Sequence, residues 1–127
     1  PDSIYTEVDA VIDFVEQTGV DSLAISIGTA HGVYKGVPKI NFERLHEIAN
    51  LTNVPLVLHG GSSSGDENLE RCATEGISKI NIYTDFLVGA VNEIQKNPYQ
   101  DYVQLKKLAN AGMYSVLNHY YDVFHTK

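Results

Sequence analysis

The apolar positions of this chain switch repeatedly between a spacing typical of helices and one typical of strands. Val8, Val11, Ile12 and Val15 recur at the i, i+3, i+4, i+7 spacing of one helix face. Directly afterwards, residues 22–28 form a short run rich in apolar side chains, as expected of a buried strand. The same alternation repeats along the chain, which predicts elements in the order α, β, α, β, α, β, α, α.

Capping and turn residues set the predicted boundaries. Thr6 and Asp9 have the spacing of a capping box before the first helix. Gly19 and Gly76 are predicted to end the first and third helices, because glycine tolerates the left-handed backbone that closes a helix. Asn41 is the predicted N-cap of the second helix. The remaining predictions are strands at about 55–58 and 78–84 and helices at about 66–75, 85–95 and 102–124.

Strands that are apolar on both faces and alternate with helices predict a parallel sheet covered by helices, an α/β fold. Residues 1–127 contain no linker long enough to separate two domains, so we expect a single unit. Three predicted strands are too few to close a (β/α)8 barrel, and an open sheet of this size would leave two bare edges. We therefore expect the chain to be part of a larger barrel, with completion of the sheet by another chain as the alternative.

The composition excludes some classes of binding partner but says little more about the fold. The formal net charge is −7 and the sequence has no basic stripe, which argues against nucleic-acid binding but leaves room for one small phosphorylated ligand. No apolar run approaches the roughly 18 residues of a membrane span, so no membrane partner is expected. The lone cysteine, Cys72, cannot form an internal disulfide. This fits a reducing compartment, so we expect a cytoplasmic protein in which Cys72 has a packing role.

Two predicted strands lead to a histidine that is followed by glycine. The strand at 55–58 runs directly into His59, and the loop after the strand at 22–28 carries His31. Because parallel strands end at one edge of the sheet, where α/β proteins bind ligands, both imidazoles can reach one zinc ion. A catalytic zinc usually takes three protein ligands, and the third is not evident here. Each histidine could instead bond a loop carbonyl, and the residues alone leave both alternatives open.

The segment after the second predicted strand is suited to phosphate binding. Gly60, Gly61 and Ser62 offer backbone N–H groups and a hydroxyl, and the following helix directs its N-terminus to the same place. In (β/α)8 barrels phosphate often binds in the loops after strands seven and eight, and Thr84 falls there if the third predicted strand is the eighth. The alternative is a flexible loop rich in serine and glycine.

Further polar residues lie near the predicted strand ends. Asn81 interrupts an otherwise apolar strand, so its amide must find partners and could bind a substrate hydroxyl or cross-link two strands. Lys35, in the loop after His31, could reach a phosphate, although a solvated lysine is the simpler expectation. Three histidines on predicted helices are expected on the surface or in packing, namely His46, His119 and His125.

Taken together, three segments resemble the class II ketose-bisphosphate aldolases. They are residues 27–36 (IGTAHGVYKG), 55–62 (PLVLHGGS) and 79–85 (KINIYTD). The resemblance covers nearly the whole chain and implies the C-terminal portion, about strands 6–8 with their helices, of a TIM (β/α)8 barrel. It further implies reversible aldol cleavage of fructose or tagatose 1,6-bisphosphate to dihydroxyacetone phosphate and glyceraldehyde 3-phosphate, through an ene-diolate stabilised by zinc.

The resemblance also implies roles for individual residues. His31 and His59 would be zinc ligands, and a monovalent cation could accompany the zinc. Asn81 would hold oxygens of dihydroxyacetone phosphate, and Lys35 is a weaker candidate for contact with the substrate. The other implied substrate contacts, chiefly to the phosphate, are Gly32, Gly60, Gly61, Ser62 and Thr84.

Two departures from the family pattern matter. The family's Asp-His pair, which supplies the proton-transfer aspartate and the third zinc ligand, is absent from this sequence. We therefore expect both in the N-terminal half of the barrel and no catalytic residue in this chain. Ser63, Ser64 and Gly65 replace the glycine, apolar residue and proline common in the family, which puts the shape of the loop in question.

The sequence also suggests an alternative to enzyme activity and a surface for self-association. The alternative to an aldolase is a non-catalytic partial barrel that binds a phosphorylated sugar, because the expected site is incomplete within this chain. The last predicted helix is apolar and rich in tyrosine, with Tyr114, Tyr120 and Tyr121 among its residues. Such a helix predicts a subunit contact, so we expect a homodimer or homotetramer.

Overall fold

A computed structural model describes residues 4–33 and 35–126, and within them strands and helices alternate in the predicted order. The helices are α1 (Val8–Thr18), α2 (Phe42–Leu51), α3 (Asp66–Glu75), α4 (Thr84–Lys96) and α5 (Tyr102–Val123). The strands are β1 (Leu23–Ile25), β2 (Leu56–Leu58) and β3 (Ile77–Ile80). The predicted α/β fold is confirmed. No helix in the described ranges is both long and apolar enough to cross a membrane.

The sheet is parallel and its strands lie in chain order, β1-β2-β3. Leu58 of β2 pairs with Ile25 on one side and with Ile80 on the other. The register between β2 and β3 shifts at Ser78, which has no partner residue in β2. All three residues of β2 are buried, as expected for the central strand. Among the described residues, β1 and β3 each keep one edge without a neighbouring strand.

The hydrophobic core lies between the sheet and helices α1, α2 and α3. Its largest fully enclosed side chains include Ile27, Leu45, Ile48, Leu58 and Leu69. Cys72 of α3 belongs to the same cluster and is completely buried. Burial raises the pKa of its thiol to about 12, so the sulfur stays protonated at neutral pH. The predicted packing role of Cys72 is confirmed.

Strand β1 is shorter than predicted and ends at Ile25. The predicted capping box at Thr6 is wrong, because Thr6 bonds the segment after β1 instead of α1. The Thr6 N–H donates to the Ser26 carbonyl (2.9 Å), and the Ser26 N–H donates to the Thr6 hydroxyl (2.8 Å). The backbone after β1 therefore bonds an earlier loop, and α1 begins after Glu7 without a side-chain cap. The other predicted caps are confirmed, since Asn41 caps α2 through its side chain and Gly19 closes α1 at φ 63°.

Helices α4 and α5 cross at a pair of glycines. A Cβ built on Gly112 would overlap the carbonyl oxygen of Gly89. One built on Gly89 would lie 2.6 Å from Cγ2 of Val116. The two helix backbones are therefore in direct contact, and side chains at either position would separate them.

Gly112→Ala is expected to lower the free energy of unfolding by roughly 1–3 kcal/mol, the usual cost of overpacking a closed contact. Urea unfolding of the variant and the wild type measures this difference. Ser115→Ala, on an exposed position of the same helix, is the matched control and should change stability by no more than about 0.5 kcal/mol. A Gly112→Ala protein as stable as the control would show that close approach of the two helices contributes little.

Candidate active site

The loops after β1 and β2 bring His31 and His59 together at the C-terminal edge of the sheet. Their ring centroids lie 6.0 Å apart, with the ring planes nearly perpendicular at 87°. The Thr29 hydroxyl donates a hydrogen bond to the His59 carbonyl (2.7 Å), which joins the two loops. A Cβ on Gly60, where φ is +68°, would overlap the carbonyl oxygen of Ala30. Glycine at this position is what allows the two histidine loops to approach.

The histidine pair fits one zinc ion. Zn–N bonds of about 2.0–2.1 Å place the centroids of two coordinating imidazoles roughly 5–6 Å apart. The observed separation is 6.0 Å, and both residues are exposed, so an ion can reach them. Within residues 4–33 and 35–126, no group of three histidine, cysteine or acidic side chains converges. The described residues could therefore supply two imidazole ligands to a zinc ion, and a third protein ligand would have to come from elsewhere.

Ser62 joins the loop after β2 to the start of α4. It is only 4% exposed, and its Oγ accepts hydrogen bonds from the N–H groups of Tyr83 and Asp85, each at 3.2 Å. Because the oxygen only accepts in these two bonds, the hydroxyl hydrogen can be donated to a ligand. The Gly61 N–H donates to the Asn81 carbonyl (3.0 Å), so this amide holds the loop to the segment after β3.

The serines that depart from the family pattern close the loop on itself. Ser63 has a left-handed backbone with φ 61°, a conformation that glycine adopts with less strain. Its N–H donates to the Asp85 carboxylate at 3.2 Å. Ser64 is completely buried, and its hydroxyl donates to the carbonyl of Gly60 (3.2 Å). The loop is therefore a hydrogen-bonded turn whose shape depends on contacts with its own backbone and with α4.

Asn81 lies just after β3 and not inside it, because the strand ends at Ile80 and not at residue 84 as predicted. Its backbone continues the pairing of the strands, since its N–H donates to the Leu58 carbonyl (2.9 Å). Its side-chain oxygen accepts a hydrogen bond from the Lys79 ammonium. An ammonium can only donate, so the amide oxygen faces Lys79 and the NH2 group is the part available to a ligand.

One cavity of about 420 Å³ joins most of the predicted site residues. It lies beside the loops after all three strands. The predicted residues in its wall are His31, Gly32, Gly60, Ser62, Asn81 and Thr84. The other lining residues are Ile80, Ile82 and Tyr83. His59, Gly61 and Lys35 are not in this wall, although His59 faces His31 and Gly61 bonds Asn81. Lys35 is exposed.

Sequence reasoning missed three residues that support this site. Lys79 orients the Asn81 side chain through a hydrogen bond. The sequence could have predicted this contact, because residues two apart in an extended segment lie on the same face. Asp85 accepts the Ser63 N–H and also a hydrogen bond from the Tyr120 hydroxyl. Burial and the bond to Asp85 raise the pKa of the Tyr120 phenol. The contact between Asp85 and Tyr120 joins two helices and has no local signal in the sequence.

The remaining histidines lie on the surface, as predicted, and each one faces a carboxylate of α3. The pairs are His46 with Glu75 (2.8 Å), His119 with Asp66 (2.9 Å) and His125 with Glu70 (2.7 Å). These residues are too exposed for the pairs to add much stability. His46 and His125 pair with residues in the middle or at the end of α3, so they are suitable positions for control substitutions. His119 is not, because Asp66 directly follows the loop that holds Ser62.

The parallel sheet, the histidine pair and the closed glycine-serine loop define an α/β protein with a candidate ligand site at its strand ends. The family model for class II fructose-bisphosphate aldolase matches residues 1–127. The chain therefore belongs to the class II fructose-bisphosphate aldolase family, and the family resemblance predicted from the three segments is confirmed.

Individual relatives agree with this assignment. The protein named "Uncharacterized protein YdjI" of Escherichia coli (strain K12) is 41% identical over 103 residues, which cover 81% of this chain and 37% of that protein. The crystal structure of the YdjI aldolase from Escherichia coli K12 is similar, with a TM-score of 0.85 and 36% identity over 94% of this chain and 46% of that one. A fructose-bisphosphate aldolase from Campylobacter jejuni shares the fold, with a TM-score of 0.78, 21% identity and coverage of 97% and 45%. The chain thus spans less than half the length of each of these relatives.

Proposed function

We propose that this chain is the C-terminal portion of a (β/α)8 barrel that carries out reversible aldol cleavage of a ketose 1,6-bisphosphate, either fructose or tagatose. The products would be dihydroxyacetone phosphate and glyceraldehyde 3-phosphate. The observation that supports this most directly is the cavity that places His31 beside Ser62, Asn81 and Thr84. Metal-ligating, phosphate-binding and hydroxyl-binding groups are the set that this substrate requires.

The sheet supports the barrel part of the proposal. Its strands are parallel and adjacent in chain order, as consecutive strands of a (β/α)8 barrel are. Aldolase structures match nearly the whole chain but only 45–46% of their own length. We assign β1, β2 and β3 to strands six, seven and eight. The open edges of β1 and β3 would then pair with strands of the N-terminal half.

His31 and His59 would hold zinc, with the third protein ligand supplied by the N-terminal half. When bound, zinc would polarise the substrate carbonyl and offset the negative charge that develops on its oxygen. The structural support is the distance and angle between the two rings, which suit two ligands of one ion. The proton-transfer aspartate would also come from the other half, so the chain by itself holds an incomplete catalytic site.

The residues of this chain would bind and orient the substrate. The Ser62 hydroxyl, the backbone of Gly60 and Thr84 at the start of α4 would bind its phosphate, and the partial positive charge of the helix N-terminus favours an anion there. The Asn81 NH2 group would donate to substrate oxygens near the reacting carbon. Gly32 lines the same cavity and leaves room for the substrate. Gly61 would act by fixing the loop, because its N–H is bonded to Asn81.

A self-associating protein is also supported. Helix α4 exposes Leu87, Val88 and Val91, and α5 exposes Tyr102 and Tyr114. Apolar side chains clustered on two adjacent helices are typical of surfaces that become buried against another subunit. We propose that these helices contribute to a homodimer or homotetramer contact.

A second candidate function is metal-independent binding of a phosphorylated sugar without turnover. One observation favours it. Hydrogen bonds already hold the loop around Ser62 in place, whereas the described residues bring no third metal-ligating side chain to the histidine pair. The two functions differ in their need for metal and in the release of product.

The experiment that tests the proposal measures triose phosphate release from fructose and tagatose 1,6-bisphosphate by the intact protein, meaning this chain together with the rest of its barrel. Activity that disappears with a chelator and returns with zinc is the expected result. Binding of a bisphosphate without product, unchanged by the chelator, would support the second function instead. Absence of both binding and turnover would contradict both candidates.

A further inference from the structure

Helix α5 contacts both sides of the loop that holds Ser62, through two consecutive residues. On one side, His119 Nε2 lies 2.9 Å from the carboxylate of Asp66, the residue directly after the loop. On the other side, the Tyr120 hydroxyl donates to the carboxylate of Asp85. The His119 pair is exposed, whereas Tyr120 is only 8% exposed. The Tyr120 contact is therefore the one that is shielded from water.

The direction of the Tyr120 hydroxyl is set by packing. Its ring stacks on Phe124, with centroids 5.5 Å apart and planes within 15°. The ring of His119 meets it edge to face at 5.3 Å. A phenol enclosed in this way has little freedom to turn. Asp85 is consequently held by a donor whose position depends on the whole of helix α5.

Asp85 in turn fixes the loop at two adjacent serines. Its carboxylate accepts the Ser63 N–H at 3.2 Å, and its own N–H donates to Ser62 Oγ at 3.2 Å. Ser63 has a left-handed backbone, so it keeps this conformation only where its surroundings stabilise it. The Asp85 carboxylate thus holds the turn at Ser63, and the backbone N–H of the same residue holds the Ser62 hydroxyl.

A carboxylate near a phosphate site needs to be restrained. An unpaired negative charge beside a bound phosphate weakens binding by repulsion. Hydrogen bonds to the carboxylate fix its orientation and partly offset its charge. Tyr120 supplies such a bond to Oδ2, the same carboxylate oxygen that accepts the Ser63 N–H. Without it, the carboxylate would be free to turn towards the cavity or to release the Ser63 N–H.

We propose that Tyr120 is a positioning residue for the phosphate-binding loop, acting through Asp85 on Ser62 and Ser63. The inference rests on the proposed function, because it assumes that this loop binds the substrate phosphate. The affinity for phosphate would then depend on α5, although this helix does not line the cavity. Tyr120 would affect the binding of phosphate and leave the histidine pair unchanged.

The test compares Tyr120→Phe with Tyr99→Phe in the intact protein. Tyr99 is exposed shortly before the same helix, so the control loses the same hydroxyl group at a position that has no proposed role. Binding of inorganic phosphate is measured by calorimetry, zinc affinity by competition with a chelating dye, and kinetics with the preferred bisphosphate. We expect Tyr120→Phe to raise the Kd for phosphate and the KM roughly tenfold. The kcat should change less than about twofold and zinc affinity should not change.

The results distinguish failure of the inference about Tyr120 from failure of the proposed function. Equal phosphate affinity in the wild type and in Tyr120→Phe would overturn the inference, and so would an equal loss of zinc affinity, which indicates general disruption. A wild type that binds no phosphate would instead overturn the proposed function. If Tyr120→Phe does not fold, Asp85→Glu provides the test, because it shifts the carboxylate while the Tyr120 ring stays packed. The same weakening of phosphate binding is expected there, and unchanged binding would overturn the inference.

Discussion

His59→Ala is expected to abolish zinc binding and aldol cleavage together in the intact protein. The substitution removes one of the two neighbouring imidazoles that we propose as zinc ligands. Loss of a group that stabilises developing charge typically lowers kcat by roughly 10²–10³-fold or more. The fold should survive, because the His59 side chain is exposed and its bond to Thr29 is made by its backbone carbonyl. Zinc content after dialysis and the initial rate of triose phosphate release measure the two effects.

His125→Ala is the matched control for this prediction. His125 follows α5 and pairs with Glu70 at 2.7 Å, away from the strand ends. The control should keep its zinc and its activity. A His59→Ala protein that retains full zinc occupancy and activity would remove His59 from the ligand set. Equal losses in both variants would indicate that removing any histidine disturbs the fold.

Gly60→Ala is expected to combine a large loss of stability with loss of the site. The residue has φ +68°, and an added Cβ would overlap the Ala30 carbonyl oxygen. Left-handed strain of about 1–2 kcal/mol and overpacking of about 1–3 kcal/mol add up to a cost of roughly 2–5 kcal/mol. Because the Cβ meets backbone atoms, side-chain rotation cannot relieve the clash. The loop that carries His31 has to move away from His59, so zinc affinity should fall as well.

Gly19→Ala separates the two parts of this cost. Gly19 has φ +63°, close to that of Gly60, but a Cβ there would meet no atom within 4 Å. The control should therefore show only the left-handed strain and unchanged zinc affinity. Urea unfolding and zinc titration of both variants make the comparison. If both alanines cost the same and both proteins bind zinc normally, close approach of the two loops is not what holds the histidines together.

Local signals were sufficient to predict most of the helices and the order of the elements. The start of α2 follows from Asn41, and the end of α3 follows from Gly76, because a cap or a glycine acts within one turn of the chain. The approach of His31 and His59 followed from a general property of parallel strands, which end at the same edge of a sheet. Ser62, Asn81 and Thr84 line one cavity for the same reason, because each follows the end of a parallel strand.

The remaining features depend on contacts between distant parts of the chain. The predicted capping box failed because the Thr6 hydroxyl bonds Ser26, 20 residues further on. The supporting bond between Asp85 and Tyr120 spans 35 residues and depends on how two helices cross. Asn81 was expected inside a strand because its neighbours are apolar, yet α4 begins only three residues later. The third zinc ligand is expected in the N-terminal half of the barrel, outside this sequence, so no pattern within the sequence could locate that residue.

Anomalous diffraction at the zinc edge, from crystals of the intact protein grown with zinc and inorganic phosphate, would show whether the two histidines hold zinc beside the phosphate-binding loop. We expect one peak about 2.0–2.1 Å from a ring nitrogen of His31 and of His59. Phosphate density is expected at the Ser62 hydroxyl and the start of α4. A zinc peak that touches neither histidine, or phosphate bound away from this loop, would overturn the proposed site.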